Sequence, residues 1–143
     1  MSATGLEVFD TTVQKTNIWL KDLMENTGWD RRRAYQALRA VLHALRDRLT
    51  VEEAAEFGAQ MPMLIRGIYF EGWSPTGKPV KERHREEFLA RIREQFRGDD
   101  DIDLETIAHA VFSLLAKRIT GGEINDVKQI LPSEIRDLWQ RGA

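Results

Sequence analysis

The chain repeats itself. Residues 31–69 and 101–139 align without a gap at an offset of 70, with nine identities in 39 positions. Ala40-Val41 pairs with Ala110-Val111, Leu45 with Leu115, Arg48 with Arg118, and Thr50 with Thr120. Glu53 pairs with Glu123, Pro62 with Pro132, and Ile65-Arg66 with Ile135-Arg136. Conservative matches extend the set: Leu42/Phe112, Met61/Leu131, Ile68/Leu138 and Tyr69/Trp139. These positions start helices, stop them or face a core, which is what a duplicated unit retains. A unit of about 70 residues buries little apolar surface alone, and packing two face to face remedies that. The spacing therefore predicts one all-α domain over residues 1–143. It is built from two four-helix repeats packed about a pseudo-two-fold axis, eight helices in all. Repeat one covers about 5–72, a linker 72–79, and repeat two about 80–140.

Local signals supply the boundaries. Leu6, Phe9, Val13, Leu20 and Leu23 form one apolar stripe on a helix from about 5 to 26. Gly28 ends it, and Asp30 caps the next helix. In that helix Ala34, Ala37, Leu38, Val41, Leu42, Leu45 and Leu49 keep a continuous 3.6-residue period. Thr50-Val-Glu-Glu53 and Thr120-Gly-Gly-Glu123 are capping boxes, each with a hydroxyl acceptor and a glutamate that can reach back to the cap N–H. Pro62 and Pro132 stop one helix and open another. After the linker, Val80 to Phe96 reads as a helix with Phe88, Leu89, Ile92 and Phe96 inward. Leu104, Ile107, Ala108, Val111, Phe112 and Leu115 line the next. No segment alternates with period two in the manner of a strand.

At these residues the sequence resembles a bacterial family catalogued as domain-of-unknown-function 2267. The resemblance is carried by Met61-Pro-Met-Leu-Ile-Arg-Gly-Ile-Tyr-Phe-Glu-Gly-Trp73 with Gly77-Lys-Pro79. It is carried equally by Ala110-Val-Phe-Ser-Leu-Leu-Ala-Lys-Arg-Ile-Thr-Gly-Gly-Glu-Ile-Asn-Asp-Val127, with Leu131-Pro132 and Leu138-Trp139. It spans about Phe9 to Trp139. It implies an all-helical bacterial cytoplasmic protein, and it implies no activity and no catalytic residues.

Composition excludes several chemistries. There is no cysteine, hence no disulfide, thiolate nucleophile or cysteine-ligated metal. Net charge is −2 and the middle of the chain, residues 71–98, is only mildly basic, with seven basic and five acidic side chains. That argues against nucleic acid, because Asp30, Glu82, Glu86 and Glu87 dilute the basic runs Arg31-Arg32-Arg33 and Lys81-Glu-Arg-His-Arg85. No apolar run approaches a membrane span and the first residues have no signal-peptide pattern, so no membrane association is expected and a cytoplasmic location is.

Motifs for a cofactor or metal fail on their own terms. A calcium loop beginning Asp99-x-Asp101-x-Asp103 needs Gly at position six and Glu at position twelve, where Leu104 and Ala110 stand. The aspartates read instead as the acidic cap of the following helix. Gly77-Lys78 follows Gly72 at the spacing of a phosphate loop, but Pro79 replaces the metal-binding hydroxyl and no strand precedes it. His43, His84 and His109 lack a second histidine at i+4. No catalytic, cofactor-binding or metal-binding residue is assigned, and no cofactor is expected.

What remains is Tyr69, Phe70 and Trp73, aromatic residues beside a Gly- and Pro-rich linker. Such rings pack on a core or offer a partner surface. The sequence thus reads as a non-enzymatic module that binds another macromolecule, a protein or a second copy before nucleic acid, with these three residues as the possible partner surface. The alternative is a small enzyme or ligand-binding protein with a site between the two repeats.

Overall fold

The computed structural model describes residues 3–98 and 101–139, and every regular element among them is helical. In chain order they are α1 (Glu7–Thr27), α2 (Arg31–Asp47), α3 (Val51–Ala59), α4 (Met63–Phe70), α5 (Arg85–Arg93), α6 (Leu104–Arg118), α7 (Gly121–Ile130) and α8 (Ser133–Arg136). Short 3-10 turns, Glu94–Phe96 and Asp137–Trp139, extend α5 and α8. None of these helices is long and apolar enough to cross a membrane.

The ends fall where the chemistry of the caps puts them. Gly28 takes φ 80°, a left-handed conformation that suits glycine, and its N–H returns to the Met24 carbonyl. Asp30, Thr50, Asp103 and Thr120 each accept the backbone N–H three residues on, at 2.8, 3.1, 3.2 and 3.4 Å. Asp103 thus fulfils the acidic-cap expectation, while Asp99 lies outside the described residues. Pro62 and Pro132 precede α4 and α8 with nearly the same backbone angles, φ −57°, ψ 152° and φ −58°, ψ 151°.

A latch follows each proline. Arg66 donates through Nε to the Gly58 carbonyl (3.1 Å) and through Nη2 to the Met61 carbonyl (2.9 Å). Arg136 donates to Lys128 (2.9 Å) and Leu131 (2.8 Å), which stand 70 positions further along in every term. In each case one guanidinium answers carbonyls that the C-terminal turn of the preceding helix leaves open.

α2 and α6 run through the middle. α1 and α5 each pack on both of them, α4 packs on α1 and α2, α8 and its turn pack on α5 and α6, and α3 meets α7. Buried side chains from both halves form one contiguous cluster. Leu38, Val41, Leu42 and Leu45 from α2 are fully buried, as are Ala108, Val111, Phe112 and Leu115 from α6. Phe112 stacks on Trp139 with centroids 4.2 Å apart.

The structure departs from the sequence reading in three places. α5 begins at Arg85 and not at Val80, because the Val80 N–H donates to the Asp47 carbonyl and the Arg48 guanidinium binds the Val80 carbonyl, pinning that segment in an extended path. The capping boxes at Thr50 and Thr120 keep only the threonine arm: Glu53 and Glu123 turn away from the cap N–H and toward each other. The α1 stripe is covered along only half its length: Leu20 and Leu23 are buried, while Leu6, Phe9 and Val13 are exposed.

Candidate functional site

The uncovered half of α1 is one wall of a groove. Phe9 and Val13 sit one turn apart on α1. Met63, Leu64, Gly67 and Ile68 supply the opposite wall from α4, and Tyr35 of α2 closes one end. The groove has a volume of about 470 Å³, and its polar margin is Thr12 and Glu71. Thr12 fixes the geometry: its Oγ1 accepts the Leu64 N–H at 2.8 Å, tying the open first turn of α4 to α1. Gly67 forms part of the wall, and a side chain built there would meet no atom within 4 Å.

The far end of α4 is held by cations from α2. Arg46 Nη1 donates to the Tyr69 and Glu71 carbonyls at 2.6 and 2.7 Å, and Arg39 pairs with Glu71 at 2.9 Å. Positive charge at a helix C-terminus is favourable. His43 Nε2 hydrogen-bonds the Ile68 carbonyl at 2.7 Å. Burial, ahead of the other influences, pushes this imidazole's pKa down, so His43 is neutral at pH 7 and its Nε2–H is the donor. His109 on α6 makes the matching bond to the Leu138 carbonyl at 3.1 Å, from one turn earlier in its helix.

Tyr69, Phe70 and Trp73 do come together, with ring centroids 4.8 Å apart for the first pair and 5.6 Å for the second. They face inward. Tyr69 has no exposed surface and its hydroxyl donates to the Ala54 carbonyl at 2.9 Å, so this residue cannot meet a partner. Phe70 and Trp73 are half-buried against the core. The exposed large apolar side chains lie elsewhere: Leu6, Val8, Phe9, Val13, Ile18, Tyr35, Val51, Met63 and Leu64 among the described residues. The sequence did carry a signal for this groove in the α1 stripe, through Phe9 and Val13. The stripe alone does not say what covers it, because an apolar stripe looks the same whether its own chain or another molecule packs on it.

One cluster among the described residues offers metal-capable ligand atoms. Carboxylate oxygens of Glu53, Glu56 and Glu123 lie within 4.8 Å of one another where α3 meets α7. Oε1 of Glu53 and of Glu123 is buried without a hydrogen-bond partner. Burial first, and the neighbouring Glu123 second, push the Glu53 pKa up to about 8. The cluster therefore holds a proton at neutral pH.

No curated protein matches the chain. Across residues 16–138, from the middle of α1 to the last turn, the sequence matches the family described as "Uncharacterized conserved protein (DUF2267)". That stretch includes Pro62 and Pro132, both threonine caps, both arginine latches and the α4 wall of the groove. The chain belongs to this family.

Proposed function

We propose that the protein is a docking module: a duplicated helical unit with one half specialised to seat an amphipathic helix of another polypeptide in the groove between α1 and α4. The two halves are taken as equivalent repeats in one domain, related by a pseudo-two-fold axis. Support for that arrangement comes from the paired caps, the paired prolines and the paired latches.

One observation carries the functional reading. If the offset of 70 relates the halves, the groove positions that α2 and α4 supply have counterparts in α6 and in α8 with its turn, while the α1 wall lies outside the aligned residues. Tyr35, Met63 and Leu64 correspond to Glu105, Ser133 and Glu134. There the surface is charged and internally paired: Arg85 binds Glu105 at 3.2 Å, and His84 binds Glu134 at 2.8 Å. On that pairing these three apolar groove positions are polar in the second half, which supports reading the apolar face as a feature of one half and not a requirement of the repeat. Exposed apolar side chains in a contiguous patch mark an interaction surface. A trough between two helices, with apolar residues spaced three and four apart along one wall, suits an incoming helix that presents apolar residues at i, i+3 or i+4, and i+7.

The test is selection of binding peptides from a display library against the full chain, with the contact surface mapped by amide chemical shifts. Helical peptides with that apolar spacing are expected, with shifts centred on Met63, Leu64 and Gly67. Leu64→Glu is expected to abolish binding and leave the melting temperature unchanged, since the side chain is exposed. Concentration-dependent dimerisation that Leu64→Glu removes would assign the groove to a second copy instead. Shifts centred elsewhere would refute the site.

A further inference from the structure

We propose that a second pocket, formed by Arg48 and the segment from Gly77 to Arg83, binds a small phosphate-bearing molecule. The pocket has a volume of about 750 Å³ and is lined by Arg48, Gly77, Lys78, Pro79, Val80, Lys81 and Arg83. Four of those seven are cations and none is an acid. It shares no residue with the groove between α1 and α4.

Arg48 is the anchor. It is only 7% exposed, at the C-terminal end of α2. Its Nη1 binds the Val80 carbonyl, and its Nε is buried with no partner. A buried guanidinium ordinarily has a counterion, because desolvating an unpaired charge is costly. Burial and the nearby Arg83 both work against the charge of Arg48. The carboxylates in its neighbourhood are engaged elsewhere. Glu82 accepts from Arg91 Nε at 2.5 Å, Glu87 accepts the His84 N–H at 3.2 Å, and Asp47 pairs with Arg46 and Arg91. Lys78, Lys81 and Arg83 form no ion pair among the described residues.

The other half supplies the comparison. Arg118 stands 70 positions after Arg48, and it has a carboxylate: Asp22 binds both Arg118 and Lys117, the latter at 3.3 Å. The hydrogen bond from Arg118 holds the Asp22 carboxyl below its usual range. Arg48 forms no ion pair among the described residues, and the pocket it lines holds three more cations. A bound anion would provide the missing charge. Phosphate fits best, because a multiply charged group with several acceptor oxygens can use a guanidinium fork and ammonium donors at once. A nucleic-acid backbone suits the protein less well, since the chain carries a net charge of −2 and residues 99–143 hold nine acids against five basic residues. Recognition here would be by side chains, independent of the failed phosphate-loop pattern at Gly77-Lys78.

Isothermal titration of the full chain at low salt, with inorganic phosphate, pyrophosphate and ATP as probes, tests the proposal. Saturable one-site binding of at least one probe is expected. The double variant Lys81→Ala/Arg83→Ala changes only exposed residues and should weaken it by about tenfold or more. Arg48→Lys keeps the charge and loses the fork, and should weaken binding by a similar factor, with the exposed Lys81/Arg83 double variant as the control that leaves the fold intact. Leu64→Glu should leave it untouched. No heat from any probe up to about 10 mM, the range of the weakest useful ligand sites, would overturn the proposal. Affinity unchanged in the Lys81/Arg83 double variant would overturn it too, as would binding of duplex DNA without binding of any of the three probes.

Discussion

Gly58 and Gly67 are both helical glycines, and they answer to opposite demands. A Cβ on Gly58 would stand 2.6 Å from the Phe70 ring and 3.0 Å from the Tyr69 ring. Gly58→Ala must push that aromatic ladder off the end of α3, and we expect a loss of about 1–3 kcal/mol in urea unfolding. Gly67 has nothing near it. Gly67→Ala should therefore gain about 0.5–1 kcal/mol from helix propensity. The glycine keeps the groove wide at the expense of stability, and the alanine variant should bind the helical peptide less well while melting higher. Glu53 makes a pH prediction. Its folded pKa, about 8, lies above its unfolded value near 4.5. The folded state thus binds the extra proton between those values, and the stability linked to that proton is lost as pH rises toward and through 8. Melting temperature should fall from pH 6 to pH 9, and Glu53→Gln, which keeps a donor and removes the titration, should flatten that fall.

Helix ends in this chain follow from single side chains, and that is why they could be read from sequence. Thr50→Ala and Thr120→Ala each remove the hydroxyl that accepts an N3 N–H. Each should lower the unfolding free energy measured in urea by about 1 kcal/mol. Asp30, Gly28, Pro62 and Pro132 were legible for the same reason: each acts on the few residues beside it. Long-range ties were not legible. The late start of α5 depends on Val80 meeting Asp47 and Arg48, more than 30 positions away. The lost arm of the capping boxes depends on Glu53 finding Glu123 across the α3–α7 junction. The groove escaped for a different cause. The α1 stripe gave its residues correctly, but whether Phe9 and Val13 are covered depends on how far α2 and α4 reach along α1. The choice of Tyr69, Phe70 and Trp73 as a surface failed at Tyr69 because an aromatic next to a loop is as useful for closing a helix end as for meeting a partner.

The whole molecule depends on pairing its halves. α1 lies on α6 as well as on α2, and α5 on α2 as well as on α6. A fragment ending near Gly77 would expose the apolar surface of α1 and α2 that α5 and α6 cover. We expect it to show weak, non-cooperative melting by circular dichroism, and a sharply melting monomeric fragment would refute the single-core arrangement. The contrast of Tyr35, Met63 and Leu64 with Glu105, Ser133 and Glu134 also has a meaning for valence. A symmetric dimer of one unit would show two copies of whatever surface it carried, so a sticky face would bridge partners into networks. Joining two units in one chain lets one copy lose the face while the other keeps it. On the docking reading proposed above, the protein would be monovalent: it would occupy a partner's helix and end there, with a stoichiometry of one to one, as a terminator of assembly and not a crosslinker.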